Sequence, residues 1–268
     1  MPAQTKHHLE RIAAVLATLA LASCGGGSNG GSAGGSSGSG SSSGGGGTTF
    51  PLATMLAKLA TGYAYSLSVT GTSTVGGNAT TITGSATVVS SAPTGTTFEG
   101  TPAILNVLTS TTSLGASASI TTVVDQYVNA SYVPLGQQTV SIDGVAVSAA
   151  NGDYRVVQGT PVLPATVKIG DAGQIGTYFD YADSSKSTQI LTTKYSYAVV
   201  ADTPPSATTA VYRITLQQYS YPAASLVFTE TYGWRIDTSG NPTFLSIASQ
   251  ATPGSGTVDL LLTCTAGC

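Results

Sequence analysis

Three cysteines, two histidines and twelve acidic residues are among the groups in this chain that could do chemistry, and their placement narrows what that chemistry can be. Cys24 stands where an apolar run meets almost pure glycine and serine, in LASCGGGSNGGSAGG. Both histidines, His7 and His8, precede it, so no imidazole follows position 8. That removes Ser-His-Asp and Cys-His activation, and every histidine-bearing metal site, from the rest of the chain. Carboxylates, lysines and tyrosines remain, and a carboxylate pair suffices for glycoside hydrolysis, although no close pair stands out. Strict alternation over Leu226–Ile236 places Leu226, Phe228, Glu230, Tyr232, Trp234 and Ile236 on one side, which makes Glu230 an acid among aromatics and a site candidate. Burial would raise its pKa unless a cation such as Arg213 pairs with it; a bulge at Gly233 would instead break the register. Gly170–Ser185 reads as a loop that gathers Asp171, Asp180 and Asp183; calcium is one reading of it and ordinary Asp/Gly turn chemistry the other. Cys264 and Cys268 sit in CTAGC, and an oxidising compartment would pair them as a staple on a fraying end. No cofactor and no metal is called for by these residues.

Residues 1–23 carry a basic start with Lys6 and Arg11, an apolar run from Ile12 to Leu21, and the small pair Ala22 and Ser23. This is the pattern of a secretory signal, too short to span a bilayer. The stretch Leu21, Ala22, Ser23, Cys24 resembles the lipobox of bacterial lipoprotein precursors. The resemblance covers about the first 24 residues and implies a cysteine diacylated on sulfur, freed by cleavage on its N-terminal side and then acylated on its amine. Cys24 is then a membrane anchor: each buried methylene contributes about 0.8 kcal/mol, so two or three chains hold firmly. Gly25 follows where inner-membrane lipoproteins of enteric bacteria tend to carry Asp, so the resemblance implies the outer membrane, with its periplasmic and surface faces both open.

Residues 24–49 read as the lipidated cysteine and a tether. From 25 to 47 only Gly, Ser, Asn and Ala occur, which cannot bury enough apolar surface to offset the entropy of ordering. Such a tether spans about 25 to 30 Å on average and about 75 Å when stretched. Residues 50–268 then form one domain long enough for a sizeable core. Only 8% of the chain is charged, and Ser, Thr and Gly take the place of charge. Loss of residues 1–23 removes Lys6, Arg11 and Glu10 from nine basic and twelve acidic residues, leaving a net charge of −4. Arg155, Lys168, Lys186, Lys194, Arg213 and Arg235 are scattered singly, so there is no basic stripe for nucleic acid.

A period of two recurs along the domain. Tyr63, Tyr65, Leu67 and Val69 alternate with small or hydroxylated residues, and Ile82 to Val88, Val145 with Val147, Tyr212 to Leu216 and Val258 to Cys264 repeat the pattern. Gly76-Gly77 and Asp143-Gly144 suit the positive φ angles of two-residue hairpins, and longer breaks fall at Asp202–Ser206 and Asp237–Pro242. One short helix precedes the strands, with Leu52, Met55, Leu56 and Leu59 on one stripe, Pro51 in its first turn and Gly62 at its end; it is expected to pack on the sheet or cover a barrel mouth. The expected fold is all-β, mainly antiparallel and barrel-like or a sandwich, with this one N-terminal helix.

Two functional expectations follow. The first is a lipid-anchored, non-enzymatic binding or structural module at the outer membrane, working by protein contact. The second takes the helix and antiparallel meander behind a lipid anchor as similar to half-barrel lipoprotein-sorting and lipid-carrier proteins, which implies an apolar cavity under the helix for a hydrophobic ligand. A carboxylate hydrolase of envelope polymers ranks below both.

Overall fold

The computed structural model describes residues 47–115, 118–147, 154–252 and 256–268. The signal, Cys24 and nearly all of the tether lie outside the described residues. The elements in order are β1 (Thr49–Phe50), α1 (Leu52–Ala60), β2 (Tyr63–Val75), β3 (Asn78–Ser90), β4 (Thr94–Phe98), β5 (Thr101–Leu114), β6 (Ala118–Val128), β7 (Pro134–Ile142), β8 (Val145–Ala146), β9 (Tyr154–Gln158), β10 (Val167–Lys168), β11 (Ala172–Tyr181), β12 (Gln189–Ala201), β13 (Thr209–Ser220), β14 (Leu226–Asp237), β15 (Pro242–Ala251) and β16 (Thr257–Ala266). Twelve strands close an antiparallel barrel in the order β3-β2-β16-β15-β14-β13-β12-β11-β9-β7-β6-β5, and β3 pairs with β5 to complete the circle. The fold is therefore a barrel, not a sandwich and not a half-barrel. β4 continues β3 along the same partner, since β3 pairs with Leu108–Leu114 of β5 and β4 with Thr101–Leu105.

The alternation of each strand decides which way its side chains point. Tyr65, Leu67 and Val69 of β2, Ile214 and Leu216 of β13, and Leu260 and Leu262 of β16 all enter the lumen and are buried. The outer wall is hydroxylated instead. Ser246, Thr263, Ser68, Ser85, Ser113 and Ser119 stand opposite one another in a row across six strands, and Ser66, Thr87, Thr111 and Thr121 form a second row. Behind these rows, on β2, β3 and β16, the lumen face is apolar. No helix among the described residues is long and apolar enough to cross a membrane.

Turn chemistry sets the hairpins. Asp143 and Gly144 (φ 51° and 76°) join β7 to β8, and Gly76 and Gly77 (φ 57° and 83°) join β2 to β3, each pair closing a two-residue loop. β8 is only two residues long, and Val145 is 71% exposed, so that hairpin does not enter the core as its alternation suggested.

Helix α1 caps one end of the barrel. Leu52, Met55, Leu56 and Leu59 are buried in the same apolar cluster as the lumen residues. Gly62 (φ 95°) ends it, its N–H donating to the carbonyl of Leu59. The helix is tied down at both ends: Ala53 N–H donates to the Ala165 carbonyl at 2.9 Å, and Lys58 Nζ donates to the Ser239 carbonyl at 3.2 Å and to Asn241 Oδ1 at 2.5 Å in the β14–β15 turn. Nine residues form a marginal helix alone, so burial of the leucine stripe, not propensity, stabilises it. Below it Tyr63, Tyr65, Phe244 and Trp234 pack ring to ring, with centroids 4.6, 4.6 and 5.5 Å apart in succession.

Cys264 and Cys268 are joined by a disulfide, with Cα atoms 6.2 Å apart, where β16 ends beside β2. A loop this short contributes about 2 kcal/mol in the chain-entropy model. Replacing both with serine should lower the unfolding free energy by about that amount, read from urea denaturation, without changing the far-ultraviolet spectrum of the sheet.

Candidate functional site

The chemically capable side chains gather inside the lumen, in two clusters on the same side of the barrel, one on β7 to β12 and one on β14 and β15, with Tyr195 and Glu230 in one row on either side of Leu216. The first is a row that the register carries across five neighbouring strands: Asn106 of β5, Gln126 of β6, Gln137 of β7, Arg155 of β9 and Asp180 of β11 stand opposite one another in turn. At its end Arg155 Nε donates to Asp180 Oδ1 at 2.5 Å, and both side chains are 5% exposed. Arg155 Nη1 donates to the Tyr195 hydroxyl at 2.6 Å and, more weakly, to Gln137 Oε1 at 3.4 Å. Thr193 Oγ1 donates to the second Asp180 oxygen at 2.5 Å. The guanidinium also stands over the Tyr195 ring, 5.7 Å from its centroid. Burial pushes the Tyr195 hydroxyl up to about 12, against the opposing pull of Arg155, so it remains a neutral phenol. Each charge in this cluster has a partner, as low-dielectric surroundings require.

Glu230 anchors the second cluster. It is fully buried on β14; Tyr232 donates a very short hydrogen bond to one carboxyl oxygen, and Ser249 Oγ donates to the other at 2.7 Å. Burial is the largest influence and pushes the carboxyl up to about 7, while the two hydrogen bonds and the charge of Arg155 pull the other way.

The expected face of β14 is present, with two corrections. Phe228, Glu230, Tyr232, Trp234 and Ile236 are buried together, but Leu226 is 44% exposed, because a register shift between β13 and β14 at Gln218/Tyr219 turns it out of the row. A bulge does fall beside Gly233, yet β15 absorbs it: Gly233 faces Ser246 and Trp234 faces Phe244, leaving Leu245 as the extra residue. The alternation of β14 survives. Arg213 is not the partner of Glu230, because its side chain points to the exposed outer wall while the flanking Tyr212 and Ile214 point inward.

Gly170–Ser185 is a strand and not a loop, since β11 runs through it. Asp180 points into the lumen, Asp171 accepts from the Lys168 N–H in the turn before β11, and Asp183 accepts from the Ser185 N–H in the turn after it. The three carboxylates do not converge, and no metal-binding cluster exists among the described residues. Arg155, Tyr195 and Thr193 escaped the sequence reading, although Asp180 shares the strand face of Tyr178, and Arg155 that of Val157.

Little room is left around these groups. The void lined by Gln126, Gln137, Arg155, Tyr178 and Tyr195 holds about 10 Å³, the space of a single water. The larger depression, about 430 Å³, is shallow and lies on the outer wall over β2, β14, β15 and β16, between Thr70, Thr72, Thr229, Thr231, Gln250 and Asp259. Glu230 and Asp180, at 0% and 3% exposure, are buried, where they can hold charge and exchange a proton. No family model, no curated protein and no solved structure matches the chain.

Proposed function

We propose that this chain is a lipid-anchored protein of the bacterial cell envelope, held at the outer membrane through Cys24, whose barrel works by contact through its outer surface. The observation that carries the reading is the packed lumen: aromatic and aliphatic side chains fill it from α1 downward, and the void beside Arg155 has room for about one water. A carrier of acyl chains needs a continuous apolar cavity of several hundred Å³. The lipobox-like Leu21–Cys24 and the glycine-serine tether support the anchor.

Changing Cys24 to Ala should move the protein from the membrane fraction to the soluble fraction and abolish incorporation of a labelled fatty acid; a variant that stays with the membrane overturns the anchor. The same lipid-free variant tests the filled lumen. Native mass spectrometry should give the bare polypeptide mass, whereas a co-purifying lipid would favour the carrier reading in its place.

A further inference from the structure

We infer that the depression on the outer wall over β2, β14, β15 and β16 is a binding site for a neutral, extended polysaccharide, with one sugar unit to each strand. The inference rests on the reading that the barrel works through its outer surface, and it names the ligand class. Two parallel rows of side chains make the site. The register sets Thr229, Gln250, Asp259 and Thr72 opposite one another across β14, β15, β16 and β2, and beside them Thr231, Ala248, Leu261 and Thr70. The first row is wholly polar. The second is polar at its ends and apolar in the middle, where the short side chain of Ala248 leaves the hollow of about 430 Å³ and Leu261 stands 46% exposed.

The two rows together complement a pyranose ring. Such a ring carries an apolar C–H face and a rim of hydroxyls, so the face rests on Ala248 and Leu261 while the rim meets the Gln250 carboxamide and the Asp259 carboxylate. Gln250 Nε2 donates to Asp259 Oδ1 at 2.7 Å, which holds both side chains in place and leaves Asp259 Oδ2 to accept from a ligand hydroxyl. The hydroxyls of Thr72 and Thr229 have no partner among the described residues, and each can donate or accept.

Other ligand classes lack a counterpart in this hollow. Strand addition needs free backbone groups, and all four strands have a neighbour on both sides. An extended peptide laid across them would meet side chains alone and leave its own N–H and C=O groups to water. A polyanion would meet Asp259, the one charge in the lining, which has the wrong sign. A metal ion would find a single carboxylate, and no metal-binding cluster exists among the described residues. An acyl chain would find a floor of two apolar side chains inside a polar rim. The spacing of the strands supplies the positive argument. They lie about 4.8 Å apart, close to the length of one sugar unit in an extended β-linked chain, so successive units meet successive strands over about 14 Å. Thr81 and Thr83 of β3, exposed and opposite Thr72 and Thr70, carry the track one unit further.

Titrating the isotope-labelled Cys24→Ala chain with cellohexaose, a neutral β-linked hexasaccharide, and following amide NMR shifts tests this. Saturable shifts confined to the two rows and their neighbours are expected. Ala248→Phe, which fills the hollow, should weaken binding about tenfold or more, and Asp259→Ala, which fills nothing, about fivefold. Val89→Phe, at an exposed outer-wall position of β3 away from the hollow, should change it by less than about twofold. Equal losses in Ala248→Phe and Val89→Phe, or a loss in neither Ala248→Phe nor Asp259→Ala, overturn the site. An oligogalacturonate of the same length that binds as tightly overturns the choice of a neutral chain. The absence of saturable shifts overturns the glycan and leaves the outer-surface reading standing, because that reading falls instead to a lipid found by native mass spectrometry of the same preparation. Saturable binding that Ala248→Phe removes, in a chain that carries such a lipid, supports the glycan site and overturns the packed lumen.

Discussion

Replacing Asp180 with asparagine should lower the unfolding free energy by about 3 to 5 kcal/mol, the usual cost of stripping one partner from a buried ion pair. The guanidinium of Arg155 would stay in the lumen with the Tyr195 hydroxyl and the distant Gln137 carboxamide as its remaining acceptors, and the Thr193 hydroxyl would lose a charged one. Domains of this kind have about 5 to 15 kcal/mol in total, so this single change takes a large share of the margin. Urea unfolding of the Cys24→Ala chain, with and without Asp180→Asn, reads the difference directly. The control is Lys186→Met, which breaks the Glu99 pair on the outer wall, where the two side chains are 39% and 29% exposed and the expected loss is below about 1 kcal/mol. Equal losses in the two variants would show that the lumen pair is no stronger than a surface one. The double change Arg155→Met with Asp180→Leu should recover most of the stability, because the cost arises from the orphaned charge more than from a missing attraction.

That pair marks where the sequence stops being readable. Strands with apolar contrast between their faces, such as Tyr63–Val69 and Val258–Leu262, declare their inward side, and both enter the core as expected. β5 offers no such contrast: Ser110 and Thr112 point in while Thr109, Thr111 and Ser113 point out. Both faces of β5 carry hydroxyls along the length that closes the barrel against β3, so the choice between barrel and sandwich was not written there. The polar row is hidden for the same reason. Asn106, Gln126 and Gln137 look like wall residues by type, and only the register of five strands shows that they lead to Arg155 and Asp180. Glu230 was legible because its neighbours on that face are large and aromatic. Its true partners, Tyr232 and Ser249, were legible only in part: Tyr232 lies two residues along the same strand, whereas Ser249 requires the bulged register of β15. Helix α1, with its leucine stripe, proline entry and glycine exit, was written in local signals and stands where they place it.

Glu230 should make the barrel less stable as pH rises from about 4.5 to about 7. The folded carboxyl holds its proton up to about 7, while the unfolded chain releases it near the ordinary value of 4.5. Between those values the native state binds more protons than the unfolded one, so stability falls with rising pH. The contribution is fully present below the unfolded value and is lost as pH passes the folded one. At about 1.4 kcal/mol per pH unit, the difference between 4.5 and about 7 amounts to about 3 to 4 kcal/mol, spread across that window. Few other groups blur it. The only histidines are His7 and His8, ahead of the barrel, and Asp202 and Glu99, held low by Arg235 and Lys186, titrate below the window. Asp125, raised by burial, adds a slope of the same sign. Glu230→Gln keeps one acceptor oxygen, for Tyr232 or Ser249, and has no proton to lose, so whatever its absolute stability its unfolding free energy should be nearly flat from pH 5 to 7 while that of the parent chain declines. A variant that keeps the parent slope would mean that the carboxyl is already ionised in the fold. The hydrogen bonds from Tyr232 and Ser249, together with the charge of Arg155, would then outweigh its burial, and the two lumen clusters would work as one charged network.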